Sequence, residues 1–214
     1  MDGLDEQIRH ELGKRIFSLG GPAGAGKDVN KQILKSIHDN VSIFPRTTTR
    51  PPRDSEIDGV DYFFVDRETF LTQLKEGSII AIDLYAKYYY GIDINQLVNT
   101  LVKSKDRKII TVGGICGIHL KPHFPTMTNI YLVASLEELH SRVRQRGGDP
   151  KAISESMKEA ERRLEEEPPL FDYVVKNHDS KLDQTVARIS EIMGLPMPTA
   201  IKEVIANVKS KNRD

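Results

Sequence analysis

Along the chain, short runs of consecutive apolar residues alternate with stretches in which apolar residues recur at helical spacing. The runs at 15–19, 62–65, 78–85, 108–112, 128–133 and 173–175 read as strands, several of them continuous enough to be buried on both faces. Between them, 27–38 places Val29, Ile33, Leu34 and Ile37 on one helical face, and 95–103 does the same with Leu97, Leu101 and Val102. Further helices are expected at 67–75, stopped by Gly77, and at 135–146, where Ser135 and Glu138 have capping-box spacing. Gly-Gly-Asp-Pro breaks the pattern over 147–152, and a strongly charged helix follows at 153–167. The last two helices are read at 181–193 and 198–209. Strands alternating with helices predict an α/β fold with a parallel sheet flanked by helices. The stretch 45–92 is richer in strand signals and aromatic residues and reads as an inserted subdomain.

At 214 residues, the chain has the length of one domain with room for a subdomain. Its 31 Lys and Arg balance 31 Asp and Glu, so a polyanion-binding surface built on net charge is not expected. The single cysteine, Cys116, excludes an intramolecular disulfide and a Cys-rich zinc site. The acidic, polar N-terminus does not read as a signal peptide, and no apolar run reaches the ~20 residues that span a bilayer. A cytoplasmic protein is expected. Its partner would be a small molecule, with neither nucleic acid nor membrane, and it would be a monomer or homodimer.

The sharpest chemical signal lies between the first strand and the first long helix. Gly21, Pro22, Ala23, Gly24, Ala25, Gly26 and Lys27 form G-x-x-x-x-G-K, a loop whose glycines let backbone amides converge on phosphate oxygens. The positive end of the following helix adds to this, and the Lys27 ammonium can reach a transferring phosphoryl group. The next residue, usually Ser or Thr for magnesium, is Asp28. Its carboxylate could take that role at the metal, or serve only as an acidic helix-start residue.

Downstream, Thr47, Thr48, Thr49, Arg50, Pro51, Pro52 and Arg53 precede Glu56, Asp58, Gly59, Asp61 and Tyr62, and then Tyr89, Tyr90 and Gly91. Prolines fix the backbone between the two arginines, whose forked donors suit a phosphate monoester. With the phosphate loop, this ordered set resembles the guanylate kinase family over about 15–193. The resemblance implies a P-loop NTPase core (15–44, 93–141 and 168–193), an acceptor-binding subdomain (45–92) and a helical lid (142–167); beyond it, 194–214 reads as a C-terminal helix with Ile201, Val204, Ile205 and Val208 on one face. The resemblance also implies ATP and Mg2+, with the loop residues 21–28 and Asn177 binding the nucleotide. Lys27 and the lid arginines Arg142 and Arg146 would be catalytic, while Arg50, Arg53, Glu56, Tyr62 and Tyr90 would hold the acceptor. The third lid arginine of the family falls at Ser156, with Arg162 and Arg163 nearby.

Three departures fall where the family reads its acceptor. The guanine-binding Glu position is Ala81, and the residue after the Tyr-Tyr-Gly motif is Ile92. The strand that carries two aspartates in the family has Val112 and Gly114 at those places. Asp83, two residues from Ala81, would share its strand face and could supply the missing carboxylate. Asp28 and the Val112-Gly113-Gly114 run are similar to ribose 1,5-bisphosphate phosphokinases. The expected activity is ATP-dependent phosphoryl transfer to GMP or a related nucleoside monophosphate. The alternatives are a sugar-phosphate kinase and a catalytically degenerate binding domain.

Overall fold

The computed structural model describes residues 5–54, 56–85, 87–104, 107–113, 116–145, 147, 149–197 and 201–211. The chain opens with α1 (Glu6–Gly13), β1 (Ile16–Gly20), α2 (Lys27–Ile37), β2 (Val41–Ile43), β3 (Arg46–Thr48) and β4 (Tyr62–Phe64). It continues through α3 (Arg67–Lys75), β5 (Ile79–Tyr85), β6 (Tyr88–Asp93), α4 (Ile94–Lys103), β7 (Lys108–Val112) and α5 (Cys116–Leu120). The last elements are β8 (Thr128–Val133), α6 (Leu136–Gln145), α7 (Pro150–Glu166), β9 (Tyr173–Lys176), α8 (Leu182–Ile192) and α9 (Ile201–Lys211). A five-stranded sheet runs in the order β2-β7-β1-β8-β9, and a four-stranded sheet in the order β4-β3-β6-β5. The class is α/β, as the alternation of elements requires.

By contact, the chain divides into two compact units. One draws on 1–18 and 42–128, the other on 19–41 and 129–214. The first unit contains the four-stranded sheet and a core built from Ile16, Phe44, Ile92, Leu97, Leu101, Ile109 and Phe124. Aspartates start its helices: Asp66 accepts from Thr69 N ahead of α3, and Asp93 accepts from Asn95 N and Gln96 N ahead of α4. In the second unit, β8 and β9 pair in parallel, Ile130 opposite Tyr173, and α9 packs on α2 and α8. The apolar residues Ile201, Val204, Ile205 and Val208 are the partly buried positions of α9, so its stripe packs back on this unit.

Two expectations need correction. The helix after the Gly-Gly-Asp-Pro break resumes at Pro150, because proline is pre-set for the first helical turn and Asp149 caps it through Ala152 N. More consequentially, β5 does not alternate evenly past Ile80. Ile80 lies opposite Ile92 and Asp83 opposite Tyr90, so three steps along β5 match two along β6. Ala81 stands at φ +53 in this bulge, buried in the core. The premise that Ala81 and Asp83 share a face therefore fails; the extra residue instead sets Asp83 beside Tyr90.

Candidate active site

The phosphate loop joins β1 to α2 in the second unit. Its glycines take left-handed backbone conformations, with Gly26 at φ +86, and Gly26 lies so close to Asn177 that a Cβ there would meet Nδ2 at 2.1 Å. Asn177 is buried and donates from Nδ2 to the Ala25 carbonyl at 2.7 Å, so it holds the loop in shape. Lys27 folds back over the loop, its Nζ donating to the carbonyls of Gly21 at 2.7 Å and Pro22 at 2.9 Å. Asp28 is exposed and pairs with Lys31 one turn on, at 2.8 Å.

Arg142, near the end of α6, is fastened to the same loop. Its Nη1 donates to Gly24 O at 2.9 Å, its Nη2 to Asn177 O at 2.9 Å, and its Nε to Asp179 at 3.0 Å. Glu138, one turn earlier, completes the brace. It forms the capping box with Ser135 and also accepts the Asp179 N–H at 3.0 Å. Burial works to raise the Glu138 pKa, but the N–H groups of Asp179 and Ser135 outweigh it and hold the carboxyl at about 2. Sequence spacing revealed the capping box; the reach to Asp179 joins residues 41 apart and left no local pattern. Arg162 pairs with Glu159 and Glu166, and Arg163 donates to Glu167 at 2.7 and 3.0 Å. Arg146 and Gly114 lie outside the described residues.

The other candidate residues gather in the first unit. Thr48 Oγ1 donates to the Tyr89 carbonyl at 3.0 Å and Thr49 Oγ1 accepts the Tyr89 N–H at 3.0 Å, which ties the threonine run to β6. Arg50 N donates to Thr48 Oγ1, so the threonines set where the first arginine leaves the sheet. Its guanidinium lies over the Tyr62 and Phe64 rings, at 5.3 and 5.8 Å from their centroids. Its Nη2 meets both Glu56 oxygens, at 2.7 and 2.8 Å. Glu56 also accepts the Arg53 N–H at 2.9 Å and thereby closes the loop between the two arginines. Glu56 raises the Arg50 pKa, against burial and with help from Tyr90. Burial pushes the Glu56 carboxyl up, yet Arg50 and the Arg53 N–H bring it below its ordinary value.

Tyr62 meets Tyr90 edge to face, ring centroids 5.9 Å apart, while Tyr89 stacks on Phe70 and binds Arg67. Adjacent tyrosines thus face opposite sides of β6, as strand alternation demands. Arg53 is exposed on the loop. Asp83 is half-buried, 3.9 Å from Arg46, whose guanidinium covers the Tyr90 ring at 4.8 Å. Arg46, Arg50, Glu56, Tyr62, Asp83 and Tyr90 form one polar and aromatic cluster. Among the described residues no group of three or more His, Cys, Asp or Glu is arranged to hold a metal, and no helix is long and apolar enough to cross a membrane.

Comparison with known proteins identifies a family. The guanylate kinase family model matches residues 13–194. A guanylate kinase from Halalkalibacterium halodurans is 33% identical over 180 residues, 83% of this chain and 86% of that protein. One from Thermosynechococcus vestitus is 29% identical over 186 residues, 86% and 95% of the two chains. The crystal structure of guanylate kinase from Anaplasma phagocytophilum shares the fold with a TM-score of 0.63 at 24% identity, covering 93% of this chain and 95% of that one.

Proposed function

This chain belongs to the guanylate kinase family, and on that premise we propose that it transfers the γ-phosphoryl group of ATP to the phosphate of GMP. It is a phosphotransferase. The bond between the γ-phosphorus and the β–γ bridging oxygen breaks while a bond to an acceptor phosphate oxygen forms, giving ADP and GDP. The acceptor oxygen is already anionic, so positioning and charge stabilisation suffice and no base or covalent intermediate is needed.

In this reading the loop residues 21–27 cradle the ATP phosphates, and Lys27 exchanges its carbonyl partners Gly21 and Pro22 for phosphate oxygens. Arg142 and Arg146 belong to a lid over 142–167, with Arg142 bracing the loop through Gly24 and Asn177. The subdomain 45–92 receives GMP. Arg50, oriented by Glu56, would hold its phosphate together with Arg53 and the Tyr62 and Tyr90 hydroxyls. Magnesium in nucleotide sites takes one or two carboxylates and completes its shell with phosphate and water, so exposed Asp28 fits as a single protein ligand. Bound there, the ion would neutralise developing charge on the phosphates. A cytoplasmic location accords with this activity.

The observation that carries the reading is the glycine loop with Lys27 bonded across it. The full chain, given ATP, magnesium and GMP, is expected to form ADP and GDP in equal amounts, and Lys27→Ala to lower kcat about 100- to 1000-fold. Full activity in that variant would remove the phosphate-loop argument.

A further inference from the structure

Arg46 is the first residue of β3, and its side chain is only 12% exposed. The guanidinium stacks on Tyr90, but its Nη1 is buried and has no hydrogen-bond partner among the described residues. The nearest carboxylate oxygen, Asp83 Oδ2, is 3.9 Å away, beyond hydrogen-bond length. The ring offsets part of the desolvation cost. A buried donor left without an acceptor remains unfavourable.

The sequence features that depart from the family meet at this guanidinium. Gly113 has no side chain where a Cβ would lie 2.7 Å from Arg46 Nη1 and 3.1 Å from Cζ, so the altered end of β7 is what admits the arginine. The bulge at Ala81 carries Asp83 forward to pair across from Tyr90. Gly113 and the bulge thus bring a donor and an acceptor side by side, Arg46 over the Tyr90 ring and Asp83 across from Tyr90 on β5.

Resting on the guanylate kinase reading, we propose that Arg46 and Asp83 together read the guanine of the acceptor. Arg46 donates to O6 and N7, the contact its fork matches. Asp83 accepts from N1–H and the 2-amino group. Spacing of 3.9 Å is too wide for the two side chains to satisfy each other and suits a donor and an acceptor serving neighbouring ring positions. Adenine would set its 6-amino group against Arg46, leaving N7 alone to accept, and its N1 lone pair against Asp83, and it is rejected because donor then faces donor and acceptor faces acceptor.

The test is steady-state kinetics at saturating ATP with GMP, IMP, XMP, AMP and ribose 1,5-bisphosphate. Arg46→Ala is expected to raise KM for GMP about 10- to 100-fold and shrink the GMP-over-AMP preference by a similar factor, with KM for ATP unchanged. If that variant does not fold, Arg46→Lys, which keeps the charge and loses the fork, answers the same question. Asp83→Asn should shift preference from GMP toward XMP, since an amide can donate to the xanthine 2-oxo group. A merely structural role would weaken every acceptor alike. If wild type uses GMP and both variants keep its order of preference, the inference falls and the kinase reading stands. If wild type turns over no nucleoside monophosphate, or prefers ribose 1,5-bisphosphate, both fall.

Discussion

The phosphate-loop cluster and the tyrosine cluster, the proposed ATP and acceptor sites, hold their cations by different means. In the first, Lys27 and Arg142 donate to backbone carbonyls of the phosphate loop at 2.7–2.9 Å. In the second, Arg46 and Arg50 lie on tyrosine and phenylalanine rings, with Glu56 and Asp83 as their carboxylates. Backbone geometry serves a triphosphate, whose shape is common to a large class of enzymes, and needs only glycines and a lysine. An acceptor is chosen by side-chain donors and acceptors, which can be replaced one by one. Chemistry can therefore stay constant in one cluster while recognition is rebuilt in the other.

The most disruptive way to challenge this contrast is to restore the family's carboxylate. Ala81→Glu would place a charge in a buried left-handed bulge packed against Ile92 and its neighbours. An uncompensated charge there should cost about 3–5 kcal/mol, read from the urea midpoint, with no improvement in KM for GMP. Unchanged stability with tighter GMP binding would show that position 81 faces the acceptor after all.

In the phosphate-loop cluster the sensitive group is Glu138. Its folded pKa of about 2 lies below its ordinary 4.5, so it binds fewer protons folded than unfolded above pH 2. Its contribution is therefore complete above about pH 4.5 and is lost as pH falls toward 2. Glu138→Gln should cost on the order of 3 kcal/mol at pH 7, and thermal melts should show the gap from wild type closing as the pH drops through that window. A gap independent of pH would mean that the loss comes from changed packing or hydrogen bonding and not from the carboxylate's charge.

What was legible in the sequence follows the same division. The phosphate loop is contiguous, so spacing alone reveals it, and the helices α2 and α4 announce themselves by apolar period. The strands β2 and β3 are three residues each, too short to show alternation, and β3 begins with a buried arginine that reads as a surface charge. The Ala81 bulge is invisible to periodicity because nothing in its composition demands it: neither glycine nor asparagine marks the left-handed residue. Asp83 was singled out by its distance from Ala81 along an even strand, and it reaches Arg46 because the strand is uneven. Arg46 was missed because its partners, Tyr90, Asp83 and Gly113, come from three other elements.

A smaller effect separates charge from shape in the acceptor cluster. Arg50→Lys keeps a cation beside Glu56 but loses both the flat face that lies on Tyr62 and Phe64 and the forked donors. Net contributions of charged hydrogen bonds run about 1.5–3 kcal/mol, and the retained ammonium recovers part of that. KM for GMP should rise about 10-fold, with kcat and KM for ATP nearly unchanged, if the lesion lies in the proposed grip on the acceptor phosphate. Since Arg46 would be intact, the preference for GMP over AMP should also survive. A fall in kcat without a rise in KM would instead assign Arg50 to the transition state and blur the separation between the two clusters.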